Sequence, residues 1–204
     1  VPIALAPLLS GVATWSLAEY ALHRFVGHGP RRVPPEGVAR FVSPTTFAAE
    51  FHREHVAHHA DPTYFAPTSR KAAAAVAALA GISLVGSWLV GRRRAGAFAL
   101  GFAATYAAYE VLHRRIHTHG PTGPYSRWMR RHHLDHHHGS PKRNHGVTSP
   151  IWDRAFATEH HPARVRVPRR MAPAWMVDEE GAVRAALRDD YELVDRAAPV
   201  VEPA

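Results

Sequence analysis

The chain has no cysteine among its 204 residues, and only Lys71 and Lys142 of its 25 basic side chains are lysine. Without thiols there is no disulfide framework, no thiolate zinc finger and no Cys-ligated iron–sulfur cluster. Any metal held here is bound through nitrogen or oxygen. A dinucleotide-binding glycine fingerprint is missing too, and the chain outside its histidine clusters is too short for a fused haem or flavin domain. The net charge of +8 is carried by scattered arginines rather than by an aromatic-interleaved stripe or a nucleic-acid module. That excludes nucleic acid as the expected partner. It fits a protein resting on an anionic membrane leaflet.

Histidine, by contrast, is in large excess: 17 residues, one in twelve. The length suits one domain, or one domain plus a tail. A mean hydropathy of −0.23 looks soluble, but the average hides blocks. Val1–Ala18 and Ala72–Val90 are uncharged runs of eighteen and nineteen residues, and Ala95–Tyr109 is uncharged up to Glu110. A bilayer core of about 30 Å needs roughly 20 apolar residues in a helix, so spans are expected at about 1–18, 72–90 and 95–112. The Gly91–Arg94 connection suits a tight antiparallel hairpin. The competing readings are a buried hairpin in a soluble bundle, and a signal peptide at the N-terminus. The latter lacks a basic n-region and a small-residue cleavage site.

A hairpin returns the chain to the side it left. Segments 19–71 and 113–204, which hold all seventeen histidines, then share one face of the membrane. Arg24, Arg31, Arg32, Arg40, Arg53, Arg70 and Lys71 outnumber Arg92, Arg93 and Arg94 on the opposing loop, which places the histidine face in the cytoplasm. The fold class expected is all-α: an integral membrane helical bundle with a cytoplasmic helical cap, over residues 1–163. A charged tail occupies 164–204. It opens basic and Pro-punctuated, continues as a short charged helix over Asp178–Asp195, and ends in disorder over Ala197–Ala204.

Four histidine boxes stand out: His23-x4-His28, His55-x2-His58-His59, His113-x3-His117 and His133-x2-His136-His137. The order pair-then-triple occurs twice. At 100° per residue, positions i, i+3 and i+4 fall within one helical stripe, so each triple projects from one face. His113 and His117 stack one turn apart. His23 and His28, five apart, share no face of a regular helix, and Gly27, Gly29 and Pro30 mark a helix stop beside them. Ten converging imidazoles are too many for one metal and suit two ions with about five nitrogens each. Glu19, Glu54, Asp61, Glu110 and Asp135 stand beside the boxes as candidates to accept the second ring N–H.

These boxes, followed by Asn144-His145-Gly146-Val147-Thr148-Ser149-Pro150-Ile151-Trp152-Asp153-Arg154-Ala155-Phe156-Ala157-Thr158, resemble the fatty acid hydroxylase/sterol desaturase superfamily of membrane di-metal oxygenases. The resemblance covers about residues 19–158, and the box spacing is most similar to fatty acid 2-hydroxylases. Carried over box by box, it implies ten ligands: His23, His28, His55, His58, His59, His113, His117, His133, His136 and His137. His132 and His138 leave a register ambiguity that the family pattern resolves toward 133, 136 and 137. His52, Asp61, Glu110 and Asp135 are candidates to support the ligands from behind. His119 reads as a surface or supporting residue, and His145, His160 and His161 as solvated or interfacial. Asp153–Arg154 reads as an ion pair or cap, while Tyr125, Trp128, Trp152 and Phe156 read as interface anchors or a lipid entrance.

The resemblance further implies two iron ions, with zinc as a possible substitute. It implies O2 as co-substrate, a membrane lipid substrate with a fatty acyl chain foremost, and hydroxylation of an unactivated C–H bond. Electrons would come from a separate ferredoxin- or cytochrome-type donor and its reductase. A carotenoid or sterol hydroxylase or desaturase is the alternative within the superfamily. From another class comes a non-catalytic His-rich membrane protein that binds zinc or nickel, which would carry its histidines in flexible loops. Two features depart from the family. One apolar segment, rather than a two-helix hairpin, precedes the first box, so the N-terminus is expected to be truncated or minimal. The tail from Arg164 is additional.

Overall fold

A computed structural model describes residues 4–41 and 43–195. The first residues of the expected N-terminal span and the expected disorder over 197–204 lie outside them. Contacts divide the chain into two units: residues up to Glu19 with Ala66–Leu112, and Tyr20–Phe65 with the chain from His113 onward.

Helices α1 (Leu5–Ala21), α3 (Thr68–Val90) and α4 (Arg92–Thr118) follow the apolar runs; α3 lies wholly in the first unit, which takes α1 as far as Glu19 and α4 as far as Leu112. Gly91 alone separates α3 from α4, at φ 83°, a left-handed conformation that glycine adopts without steric cost. The chain therefore reverses at one residue, and Arg92–Arg94 form the first turn of α4 rather than a four-residue loop. The hairpin is antiparallel. An ion pair joins Lys71 at the start of α3 to Glu110 near the end of α4, and Gly86 faces Ala95 at the turn.

Helices α3 and α4 are long and apolar enough to cross a membrane. At about 1.5 Å per residue, α3 alone spans about 34 Å. No residue of α3 is buried, and Val76, Leu84, Trp88 and Leu89 are all exposed. That overturns the buried-hairpin alternative, because a soluble bundle would not leave an apolar surface of this extent to water. Helix α1 packs on α4 through small residues. A Cβ at Gly11 would lie 2.1 Å from the Phe98 carbonyl oxygen, and one at Gly101 would lie 2.1 Å from that of Leu8. Such close backbone approach is how helices associate where lipid supplies no hydrophobic drive. Trp15 fills the seam below, edge-on to Phe102 and Tyr106.

The second unit begins at Tyr20, and its first turn beyond α1 is π-helical, Leu22–Gly27. After a 3-10 turn at Gly37–Phe41 comes α2 (Pro44–Ala60). Its start is set by Pro44 in the first turn and by Ser43, whose side chain accepts the Thr45 N–H at 3.1 Å. Helices α5 (Pro124–His138) and α6 (Ile151–Ala155) follow.

Beyond them the all-α expectation needs amending. Strands β1 (Val165–Pro168) and β2 (Tyr191–Val194) pair in parallel, Val165 opposite Tyr191. No helix forms over Asp178–Asp195. The segment contains a turn at Gly181, a short 3-10 turn at Ala185–Leu187, and β2. The apolar residues explain this: Val165 and Val167 alternate with arginine at the strand period of two. With Met176, Leu187 and Tyr191 they bury Leu134 on α5. Each such side chain contributes about 1.5–3 kcal/mol when fully buried. Asp190 is the polar tie, paired with Arg127 and, at 3.3 Å, with Arg131 of α5.

Candidate metal centre

All ten box histidines lie in the second unit, and they converge as two groups of five. His23, His28, His55, His59 and His136 form one group, and His58, His113, His117, His133 and His137 the other. Within each group the donor nitrogens lie within 4.8 Å of one another. The triples divide between the two. Helix α2 gives His55 and His59 to the first group and His58 to the second. Helix α5 gives His133 and His137 to the second and His136 to the first. Each cluster thus takes one pair box, an i, i+4 pair from one triple and the middle histidine of the other. His59 and His137, members of different clusters, stack with ring centroids 4.1 Å apart.

The five-residue spacing of His23 and His28 is resolved by the π-turn. The His28 N–H bonds the His23 carbonyl at 3.1 Å, an i to i+5 step that widens the helix by one residue. Residues five apart then sit one above the other, with ring centroids 5.3 Å apart. Gly27 is required beside them, since a Cβ there would lie 2.8 Å from the His55 ring.

Adjacent Nε2 atoms are spaced 2.8 Å (His28–His55), 2.9 Å (His28–His136) and 3.2 Å (His59–His136) in the first cluster. In the second they are 3.1 Å (His58–His113), 3.2 Å (His58–His117), 3.1 Å (His113–His133) and 3.0 Å (His117–His133). Metal–nitrogen bonds of about 2.1 Å at right angles would separate adjacent donors by about 3.0 Å.

Tautomers agree with this. The Nδ1 atoms of His23, His58 and His136 face the carbonyls of His145, Tyr64 and Arg143. A carbonyl only accepts, so Nδ1 carries the proton and a neutral ring turns its Nε2 lone pair inward. His23 Nε2 and His137 Nε2, one in each cluster, are buried without a hydrogen-bond partner among the described residues. Burial first, and repulsion among imidazoles second, hold His23, His55, His59, His133, His136 and His137 well below the usual imidazole range. The same causes bring His28 to about 4. Neutral, desolvated nitrogen sets of this kind fit two metal ions.

The residues expected to support the ligands fare differently. His52 Nδ1 lies 2.9 Å from the Gly27 carbonyl and pins the end of the π-turn. Asp61 is exposed and accepts from Thr63 N and Oγ1, closing a turn instead of reaching a ring. Glu110 pairs with Lys71. Asp135 accepts from Asn144 Nδ2 at 2.9 Å and from His160 Nδ1 at 2.8 Å, bracing the chain after α5. The ring N–H groups of His23, His58 and His136 are thus met by backbone carbonyls, which do so without burying a further charge. His132 and His138 belong to neither group. His132 contacts Asp153 at 3.2 Å, and His138 is buried, which lowers it to about 4.

Two expectations are corrected outright. His145 is buried, not solvated, and its carbonyl meets His23. Asp153 does not pair with Arg154, which bonds Glu159 instead at 2.8 Å. It is a buried hub that accepts from the N–H groups of His145 (2.8 Å) and Gly146 (2.7 Å) and from Thr158 Oγ1 (2.7 Å). Burial alone would raise this carboxyl, but the donors from His132, Thr158 and Gly146 bring it down to about 2. His119 bonds Thr118 at the surface, His161 pairs with Glu159, and Phe156 stacks on Tyr20.

A largely helical chain with two apolar hairpin helices and two five-histidine clusters defines a class of membrane-associated protein whose grouped imidazoles could hold metal. Comparison with known proteins gives the family. Residues 8–158 match the fatty acid hydroxylase family, and the chain belongs to it. It is 28% identical over 158 residues to the dihydroceramide fatty acyl 2-hydroxylase FAH2 of Arabidopsis thaliana, covering 72% of this chain and 58% of that protein. It is 30% identical to the ceramide very long chain fatty acid hydroxylase SCS7 of Saccharomyces cerevisiae, covering 72% of this chain and 36% of the relative. A solved structure of scs7p, with only its hydroxylase domain visible, superposes with a TM-score of 0.57 at 27% identity. That match covers 78% of this chain and 58% of the other. The chain thus spans less than two thirds of the length of these relatives.

Proposed function

We propose that this chain is a membrane-bound oxygenase that hydroxylates an unactivated C–H bond of a fatty acyl chain. The observation that carries the reading is the pair of five-nitrogen clusters, buried to half-buried, interleaved through α2 and α5. The ten box histidines would hold two iron ions. When bound, these supply reduction of O2 by two external electrons and delivery of one oxygen atom to carbon. The chain's own part is to bind and orient. The His145, Tyr64 and Arg143 carbonyls fix the tautomers of His23, His58 and His136, and burial keeps the rings neutral. The relatives' names direct attention to a ceramide-linked acyl chain and its 2-position. The electron donor is a separate ferredoxin- or cytochrome-type protein with its reductase, and the histidine boxes face the cytoplasm. Helical placement of nine of the ten residues, with His28 capping the π-turn, disfavours a loop-borne zinc or nickel trafficking protein.

Lipid mass spectrometry on cells with and without the protein should reveal an acyl species that has gained one oxygen. His58→Ala and His136→Ala should each abolish that product and lower metal retention. Turnover that survives both substitutions would sink the reading. A hydroxylated carotenoid or sterol in place of the acyl product would redirect it.

A further inference from the structure

Helix α4 ends immediately after delivering His113 and His117, and residues from elsewhere hold its last carbonyls. Arg130 on α5 is buried without a carboxylate partner among the described residues. Its Nε donates to the His119 carbonyl at 2.7 Å, its Nη2 to the Arg115 carbonyl at 2.9 Å, and its Nη1 to the Ser126 carbonyl at 2.8 Å. A cation against the Arg115 and His119 carbonyls also answers the negative end of the α4 dipole, while the Ser126 contact stays within α5. The guanidinium lies 5.7 Å from the Trp175 ring. Trp175 Nε1 in turn donates to the Ile116 carbonyl at 3.1 Å, directly before His117. Trp175 lies beyond the family match, which ends at residue 158. The tail that carries it is anchored on α5 through Leu134 and Asp190.

The geometry points to Arg130 and Trp175 as a clamp that positions His113 and His117 against His133 and His137, and so sets the metal affinity of the second cluster alone. The first cluster takes no residue from α4. Arg130 and Trp175 are positioning residues that act through backbone carbonyls, and neither contributes a donor to the cluster. The tail is therefore a working part of one metal site, built from residues outside the family's matched core.

This inference rests on the reading of the clusters as metal sites, and the experiment separates the two. The full chain, purified in detergent, is titrated with ferrous iron and in parallel with zinc, and bound metal per chain is counted. Trp175→Phe keeps an aromatic ring and removes the donor. Arg130→Lys keeps the charge but cannot reach three carbonyls. Each should weaken the second cluster about 10- to 100-fold, the range usual for residues that orient ligands, and leave the first unchanged. In a His136→Ala background, where the first cluster is crippled, Trp175→Phe should remove most remaining metal. In a His58→Ala background it should change nothing. If the unaltered chain binds no metal, the cluster reading fails, and the clamp with it. If it binds two ions and the variants bind both as tightly, or lose both in equal measure, the clamp is wrong while the cluster reading stands. Should Arg130→Lys fail to fold, Trp175→Phe decides.

Discussion

Asp153 shows how much of the centre depends on residues that never touch it. Its carboxylate gathers two backbone N–H groups, a hydroxyl and the His132 ring, and thereby fixes the turn at His145. The carbonyl of that turn orients His23. Asp153→Asn replaces one accepting oxygen with a donor facing donors, in a site with no exposure at all. It should cost about 3 kcal/mol, as expected for breaking charged hydrogen bonds in a buried network. Chemical denaturation in micelles checks this. The pH dependence has a definite sign. The carboxyl titrates at about 2 when folded and near 3.9 when unfolded. Its contribution is therefore complete above about pH 4 and is lost as pH falls toward 2. The stability gap between the native chain and Asp153→Asn should hold steady at neutral pH and shrink across that acid window. A gap independent of pH would show that the carboxylate is not the charged hub described.

At the level of elements, the useful contrast is between what a stripe of side chains encodes and what needs a partner. The i, i+3, i+4 spacing of His55, His58 and His59 announces a convergent face, and the ten histidines do converge. Their division into two groups is not visible from spacing. The three residues share one face of α2, and the π-turn, α4 and α5 together separate His55 and His59 from His58. The π-turn was hidden for another reason. A widened hydrogen-bond step leaves no mark in apolar periodicity, so H-x4-H has no place on a regular helical face, yet it is the spacing that the π-turn aligns. The buried role of His145 carries no side-chain signal because it acts through its backbone, and β1 and β2 carry little local pattern because they are four-residue strands joined by a long crossover. The π-turn also sets a local prediction. Gly27→Ala places a methyl 2.8 Å from the His55 ring, a contact the ring must yield to, as in other overpacked sites. The first cluster should lose about ten-fold in metal affinity, a loss typical of disturbed ligand orientation, while the second stays unchanged. A loss shared by both clusters in a metal titration would contradict their independence.

For the molecule as a whole, the absence of cysteine makes the membrane arrangement directly measurable. Single cysteines can be introduced into a chain with no thiol background, so labelling by a membrane-impermeant thiol reagent reports on one position at a time. Helices α3 and α4 form an antiparallel hairpin turned at Gly91, its other end tied by Lys71 and Glu110. Thr68, at the start of α3, and Arg92, just past the turn, are both exposed and separated by the full length of one helix, about 34 Å at 1.5 Å per residue. If α3 crosses the bilayer, Thr68→Cys and Arg92→Cys must label from opposite sides. The excess of arginine around the histidine boxes directs Thr68→Cys to the cytoplasmic side. In intact cells the reagent should reach Arg92→Cys and spare Thr68→Cys, and in inverted membrane vesicles the pattern should reverse. Labelling of both positions from one side would leave the hairpin lying along the surface. The apolar faces of α3 would then have to be covered by something other than the bilayer core.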